Sequence, residues 1–257
     1  MKSYLKQPGT ALAVSKNGRI ICSKYFRACP DTQFRIASLT KPFTAMAIML
    51  LAQEKKLTFD DPLGNFFDSL PAWSNTITNR NLLTHTSGVP DYESVLYKTF
   101  KPSKPPQMAD VLVVLREQDS TFFKPGSKQQ YSESGYVLLA LIIEKLTGSY
   151  SDYLNKKIFQ PLEMKNTILY DSTKPQIINR AYGYQKTLTG YKLYDNDLLN
   201  FVVGNEGIYS TVEDLSRWSR AWFSNILVSS DLLSLALSSN FERGFSWKLN
   251  TFANCQI

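Results

Sequence analysis

Residues 35–51 read RIASLTKPFTAMAIMLL, a serine three positions before a lysine at the head of an apolar run. The spacing of Phe43, Met46, Ala47, Leu50 and Leu51 predicts a helix from Ser38 to about Lys55 with one buried face. Pro42 is tolerated near its start, where a first turn has no use for the missing N–H. Positions i and i+3 share a helical face, so Ser38 and Lys41 are placed to point into one cleft. Amides at a helix N-terminus also favour developing negative charge. Two readings stand here. Ser38 is either a nucleophile with Lys41 as its proton acceptor, or the residue that starts the helix, because serine is a favoured N-cap. Catalysis carries a cost: holding an ordinary lysine neutral near pH 7 takes about 4–5 kcal/mol, so burial or a cationic environment must contribute.

On the N-terminal side, TALAVSKNGRIICSK predicts a hairpin turning at Asn17-Gly18. On the C-terminal side, helices are predicted at NRNLLTH, ADVLVVLREQ, SGYVLLALIIEKLTG (ending at Gly148) and SYSDYLNKKIF. Further helices are predicted at STVEDLSRWSRAWF, with Thr211 and Asp214 as a capping box, and at SSDLLSLALSS. Between 168 and 206 the composition turns polar and aromatic, with turns at Gly183 and Gly190. The result is an α+β chain with a helix-rich middle, whose hairpin needs further strands because two alone are marginal.

A second chemical signal is QQYSESGYVLLALIIEKLTG. Tyr131 falls just before a helix and after the turn Lys124-Pro125-Gly126-Ser127. It is placed to relay a proton between a serine and a leaving group if nearby positive charge lowers its pKa. An amphipathic aromatic at a helix start reads equally well locally. Glu133 fits an ordinary role, capping the amides of that helix. His85, in LLTHTSG, reads as a structural histidine at a turn or helix end. No G-x-S-x-G sequence is present, which argues against the usual α/β-hydrolase arrangement.

Composition narrows the classes. The 257 residues are enough for one large domain or two closely joined lobes. The formal charge of +7 is scattered, with no basic run interleaved with aromatics, so nucleic-acid binding is not expected. Cys22, Cys29 and Cys255 show no ligand spacing; a Cys22–Cys29 bridge needs an oxidising compartment, and the odd count favours buried or free thiols. A single histidine excludes a histidine-rich zinc site. AMAIMLLA is too short to span a bilayer, so no transmembrane segment is expected. The opening MKSYLKQPGTALAV lacks a signal peptide's apolar core and cleavage site. As written, the sequence predicts a cytoplasmic protein, with a periplasmic or extracellular one the alternative if the N-terminus is incomplete.

Taken in order, PGTALAVSKNGRII, FRIASLTKPFTA, LTFDDPLGNF, ITNRNLLTHTSGVPDY, FKPGSKQQYSESGYVLLALIIEKLTGSYSDYL, IFQPLEMKNT and GNEGIYSTVEDLSRW make one pattern. It resembles the serine beta-lactamase-related family, which includes class C beta-lactamases, D-alanyl-D-alanine carboxypeptidases, D-aminopeptidases and related esterases. The resemblance runs from residue 8 to about residue 248. It implies an antiparallel sheet flanked by helices, with a mainly helical lobe within about 60–200 of a single domain over 1–257. It implies that Ser38 is the acylated nucleophile, Lys41 its base or activating partner, and Tyr131 the proton shuttle. It implies amide or ester substrates, such as D-alanyl peptides, beta-lactams or small esters, and no metal or organic cofactor.

Two departures from the family pattern qualify this. Glu133 stands at the third position of the Y-x-N motif, where a carboxylate cannot donate to a substrate carbonyl and favours a protonated Lys41. After GFSWKL no K-T-G or H-x-G motif follows, so the sheet strand bearing the second oxyanion donor is expected to be missing. The sequence therefore predicts a serine hydrolase acting through a Ser38 acyl-enzyme. Its alternative is a degenerate homologue that binds a cell-wall-like peptide without catalysis, or a truncated product without activity.

Overall fold

The computed structural model describes residues 8–16, 18–99, 105–171, 173, 176–195, 201–238 and 244–248. Strands β1 (Thr10–Lys16) and β2 (Arg19–Phe26) form the expected antiparallel hairpin; Gly18 of its turn takes φ +72°, and Asn17 lies outside the described residues. A bulge interrupts the pairing after Val14, which opposes Cys22 while Ser15 opposes Ile20. β3 (Phe34–Arg35) leads through a 3-10 turn (Ala37–Thr40) into α1 (Lys41–Gln53).

The sequence predicts one buried face for α1, but the helix is buried around its whole circumference from Lys41 to Leu51. It lies in the middle of the protein, against α5 (Glu133–Thr147) and α6 (Tyr150–Leu154), so its outward face meets protein rather than water. Phe43 stacks on Trp218 with ring centroids 3.9 Å apart, and Phe159 meets it edge-on. α5 is apolar for the same reason: Tyr136 to Ala140, Ile142 and Ile143 are all fully buried. Gly148 ends it in the left-handed conformation.

Other helices follow the sequence reading. They are α2 (Asn79–Leu83), capped by Thr78 and Asn81, α4 (Met108–Arg116), α7 (Val212–Ala221) and α8 (Ser230–Ala236). α6 continues as a π-helical turn, Asn155–Phe159. One helix was not legible, α3 (Tyr92–Thr99). Nor was the short hairpin of β5 (Tyr184–Thr187) and β6 (Gly190–Leu193). The Thr211 cap is present, with its side chain accepting from the Asp214 amide. The reciprocal half of the capping box is replaced, because the Asp214 carboxylate turns to the Asn166 amide, the Thr167 hydroxyl and Arg217.

A three-stranded antiparallel sheet, β3–β7–β4, is completed by β4 (Ile168–Leu169) and β7 (Ile208–Ser210). Its central strand pairs Arg35 with Tyr209 on one side and Ile168 on the other. This α+β arrangement, antiparallel sheet with flanking helices, is the one expected. The sheet matters for the site, because β3 delivers the chain to Ser38 and the segment before β7 carries Asn205 and Glu206 to the same place. The region after Lys248, where no third motif was found in the sequence, lies outside the described residues, as does Cys255. Cys22 and Cys29 are free and exposed.

Candidate active site

Ser38 sits on the 3-10 turn rather than in the helix, and neither that turn nor α1 has a side-chain cap. Ser38 is therefore not spent on starting the helix. Ala37 before it takes φ +46°, a left-handed backbone that costs a non-glycine residue about 1 kcal/mol or more. That turn presents Ser38 at the surface while Lys41, three residues on, is only 2% exposed beneath it.

Three segments meet around Ser38 and Lys41. Lys41 Nζ donates to Ser38 Oγ at 3.2 Å, and the Tyr131 hydroxyl donates to the same oxygen at 2.9 Å. Lys41 Nζ also donates to Glu133 Oε2 at 2.6 Å and to the Asn205 carbonyl at 3.3 Å. An ammonium has three N–H groups, and each has its acceptor here. Burial pushes the Lys41 amine below the ordinary lysine range, while the carboxylates of Glu133, Glu206 and Glu93 oppose that shift.

Glu133 does not cap α5. Ser132 does, accepting from the Gly135 amide, and the Glu133 amide itself donates to Asp91 Oδ2 at 2.8 Å. The Glu133 carboxylate is left for Lys41 and for Asn205 Nδ2, which donates to Oε2 at 3.0 Å. Asn205 Nδ2 also reaches the Tyr92 hydroxyl at 3.3 Å, and that hydroxyl donates to Glu93 Oε1 at 3.3 Å. Burial, followed by Glu133, Asp91 and Glu206, pushes the Glu93 carboxyl up to about 7. Burial and Glu133 likewise raise Glu206, against the pull of Lys41 and Arg35.

Tyr131 is aimed by His85. The imidazole stacks on the Tyr131 ring at 4.7 Å, and its Nδ1 accepts the Ser132 amide at 3.2 Å. The His85 carbonyl accepts from the Gln130 amide at 2.9 Å, so both ends of the tyrosine's segment are tied to one residue. His85 is buried, which agrees with the structural reading of it. Its own amide donates to the helix-end carbonyl of Leu82 at 3.2 Å.

The segment carrying Asn205 is held from below. Thr44 Oγ1 donates to the Gly204 carbonyl at 2.6 Å and shares a hydrogen bond with Tyr150 at 2.7 Å. Gly204 takes φ +97°, and a Cβ there would stand 2.4 Å from the Tyr136 carbonyl oxygen, so glycine is required. Asn205, Glu206, Tyr92 and Glu93 were not singled out from the sequence. GNEGIY flags the segment only as part of a family pattern, and nothing local connects it with Lys41.

The beta-lactamase family model matches residues 1–251. The chain belongs to the beta-lactamase family. Penicillin-binding protein 4* of Bacillus subtilis is 34% identical over 239 residues, covering 85% of this chain and 52% of that protein. The octameric penicillin-binding protein homologue of Pyrococcus abyssi superposes with a TM-score of 0.81 at 28% identity, over 94% of this chain and 60% of that one. The D-amino acid amidase of Ochrobactrum anthropi SV3, solved with L-phenylalanine amide, gives a TM-score of 0.78 at 25% identity, over 93% of this chain and 74% of that one. The chain spans about half the length of the curated relatives it matches.

This kinship supports serine-hydrolase chemistry in general terms. It also corrects the cytoplasmic expectation, because penicillin-binding proteins and D-amino acid amidases are periplasmic or extracellular enzymes. No helix among the described residues is long and apolar enough to cross a membrane.

Proposed function

We propose that this chain is an attenuated member of the family, whose cleft binds a cell-wall-like peptide, or a related amide or ester, at Ser38 and captures it more readily than it turns it over. The observation that carries this reading is the set of three acceptors around Lys41 Nζ, with Glu133 Oε2 at 2.6 Å among them. That set suits an ammonium, and an ammonium cannot take the serine proton.

Capture proceeds in the family manner where Lys41 first gives its proton to solvent, a loss that burial favours and Glu133 resists. Ser38 Oγ then attacks the carbonyl carbon, and its proton passes to the Lys41 amine. Tyr131, hydrogen-bonded to the same oxygen, hands a proton to the departing nitrogen or oxygen and recovers one from Lys41. The carbon–leaving-group bond breaks and leaves an ester on Ser38. Hydrolysis needs the sequence again with water as the nucleophile, so each turnover meets the Lys41–Glu133 pair twice. Full catalytic turnover is the second reading, favoured by the two hydrogen bonds that converge on Ser38 Oγ.

The test is intact-mass and peptide mass spectrometry after incubation with a fluorophosphonate and, separately, a penicillin. A long-lived stoichiometric adduct on Ser38, lost in Ser38→Ala, is the expected result. Adduct with rapid product release establishes the catalytic reading. Saturable binding of a cell-wall peptide without adduct reduces the proposal to binding alone. Undiminished ester hydrolysis by Ser38→Ala sinks the assignment of the nucleophile.

A further inference from the structure

Behind the Lys41–Glu133 pair, three consecutive residues at the start of α3 meet the site from one side. Asp91 Oδ2 accepts the Glu133 amide at 2.8 Å, and the Tyr92 amide donates to Ser134 Oγ at 2.7 Å. The Tyr92 hydroxyl accepts from Asn205 Nδ2 at 3.3 Å and donates to Glu93 Oε1 at 3.3 Å. Asn205 Nδ2 donates in turn to Glu133 Oε2 at 3.0 Å, the oxygen that holds Lys41 Nζ at 2.6 Å. A continuous chain of hydrogen bonds therefore runs from Glu93 through Tyr92, Asn205 and Glu133 to the amine that contacts Ser38 Oγ at 3.2 Å. Capping does not use its far end, because Asp91 already accepts the Ser94 amide at the head of α3.

The middle of this chain does not titrate near neutrality. Burial, followed by the Glu93 charge, holds the Tyr92 phenol well above the ordinary tyrosine range, and the Asn205 amide has no proton to lose there. The far end does titrate. Burial, then Glu133, Asp91 and Glu206, push the Glu93 carboxyl up to about 7. α4 also packs on α3, but its charged side chains are engaged elsewhere, Asp110 with the Gln107 amide and Arg116 with the Ser69 hydroxyl. Around Lys41 burial favours the free amine, while Glu133, Glu206 and Glu93 favour the ammonium. The Tyr131 and Tyr136 rings, 4.8 and 5.9 Å from Nζ, favour the ammonium as well, and Arg35 acts on Glu206.

We propose that Glu93 is a positioning residue that sets the proton state of the Ser38 site, acting on Lys41 through Tyr92, Asn205 and Glu133. The proposal rests on the reading of Lys41 as the group that takes the Ser38 proton. With Glu93 neutral, Lys41 gives up its proton to solvent more readily. Once Glu93 has lost its own proton to solvent, its charge and the hydrogen bond from Tyr92 act together. The phenol hydrogen points at Glu93, the phenol oxygen turns to Asn205, and Asn205 Nδ2 is fixed on the carboxylate that grips Lys41. A lysine base on its own only gains activity as pH rises. Here the rise meets a brake that tightens through neutrality.

Glu93→Gln tests this, because its amide oxygen still accepts from the Tyr92 hydroxyl while the charge is gone. Acylation by a fluorophosphonate is timed across about pH 5 to about pH 9. Equal rates are expected at the acidic end, where the wild-type carboxyl is already neutral. Above neutrality, while Lys41 is still mostly ammonium, the variant is expected to react about threefold faster. Rates that differ by one constant factor at every pH, or do not differ at all, overturn the proposal. A second readout needs no acylation: the NMR shift of the Lys41 Cε carbon in the ligand-free wild type. It is expected to move through the Glu93 titration as well as through its own, and the first step is expected to vanish in Glu93→Gln. A signal flat through the Glu93 titration overturns the proposal even where Glu93→Gln fails to unfold cooperatively. Should neither protein acylate, the reading of Ser38 fails, and the Lys41 titration still decides whether Glu93 sets its proton.

Discussion

The Ser38 cleft and the N-terminal hairpin are held in opposite ways. In the cleft, Lys41 and Asn205 are almost fully buried and joined by hydrogen bonds to side chains that are far apart in sequence. The hairpin is held mainly by its own ladder, with one face leaning on α7, where the Tyr25 hydroxyl donates to Glu213. The other face carries Leu12, Val14 and Phe26 in the open. Apolar character alone therefore does not decide burial in this chain. Leu12 and Val14 are as greasy as the α1 residues, but α1 is enclosed by neighbours and the hairpin is not. A polar side chain in the cleft carries more consequence for stability than an apolar one on the strand.

The contrast can be broken most directly at Lys41. Lys41→Ala strands Glu133 beside buried acceptors, and loss of one partner of such a pair is expected to cost about 3 kcal/mol. Denaturant midpoints at unchanged slope measure it. A change inside experimental error would mean that the cleft tolerates loss of its central cation, and the contrast with the hairpin would fail.

A smaller effect sharpens it through pH. Glu93 is raised from 4.5 to about 7, so the folded state holds this proton more tightly than the unfolded chain does. Its contribution is present at low pH and is lost as pH rises from about 4.5 to about 7, which makes ionised Glu93 a liability above neutrality. Glu93→Gln is expected to flatten the decline in stability over that interval. The gain at the alkaline end is on the order of 1 kcal/mol, discounted because the carboxyl is only half-buried. Melting temperatures of both proteins across the interval decide it, and parallel curves would show that Glu93 does not titrate there.

The smallest effect belongs to the strand. Ile21, at the bulge, is 64% exposed, and Ile21→Thr is expected to change stability by no more than about 0.5 kcal/mol. A loss of several times that in the same denaturation experiment would mean that the hairpin's open surface is covered in solution.

Much of this was legible because it is local. The hairpin, α1, α5 and Gly148 each follow from a periodicity or a residue with one conformational use. Ser38 and Lys41 were legible because three residues of spacing nearly determine their neighbourhood. Tyr131 was found through its position before α5, although its aim depends on His85, a residue 46 positions earlier. Glu133 was read locally as a cap and is instead a partner of Lys41, because Ser132 already meets the helix's need. α3 is only eight residues long, and its one set at helical spacing, Tyr92, Val95 and Leu96, was not singled out from the sequence; Asn205 meets the Tyr92 hydroxyl and Ser134 its amide.

The sequence by itself determined the family, the α+β class and the serine, lysine and tyrosine that meet at one oxygen, because those depend on short spacings and ordered motifs. Only the tertiary structure decided that Lys41 is enclosed by three acceptors and that Asn205 and Glu206 stand behind it. The contacts to Glu133 and Asn205 join segments 92 and 164 residues apart along the chain. Burial, charge balance and unpaired acceptors are properties of what surrounds a residue, and the surroundings exist only once the chain has closed on itself.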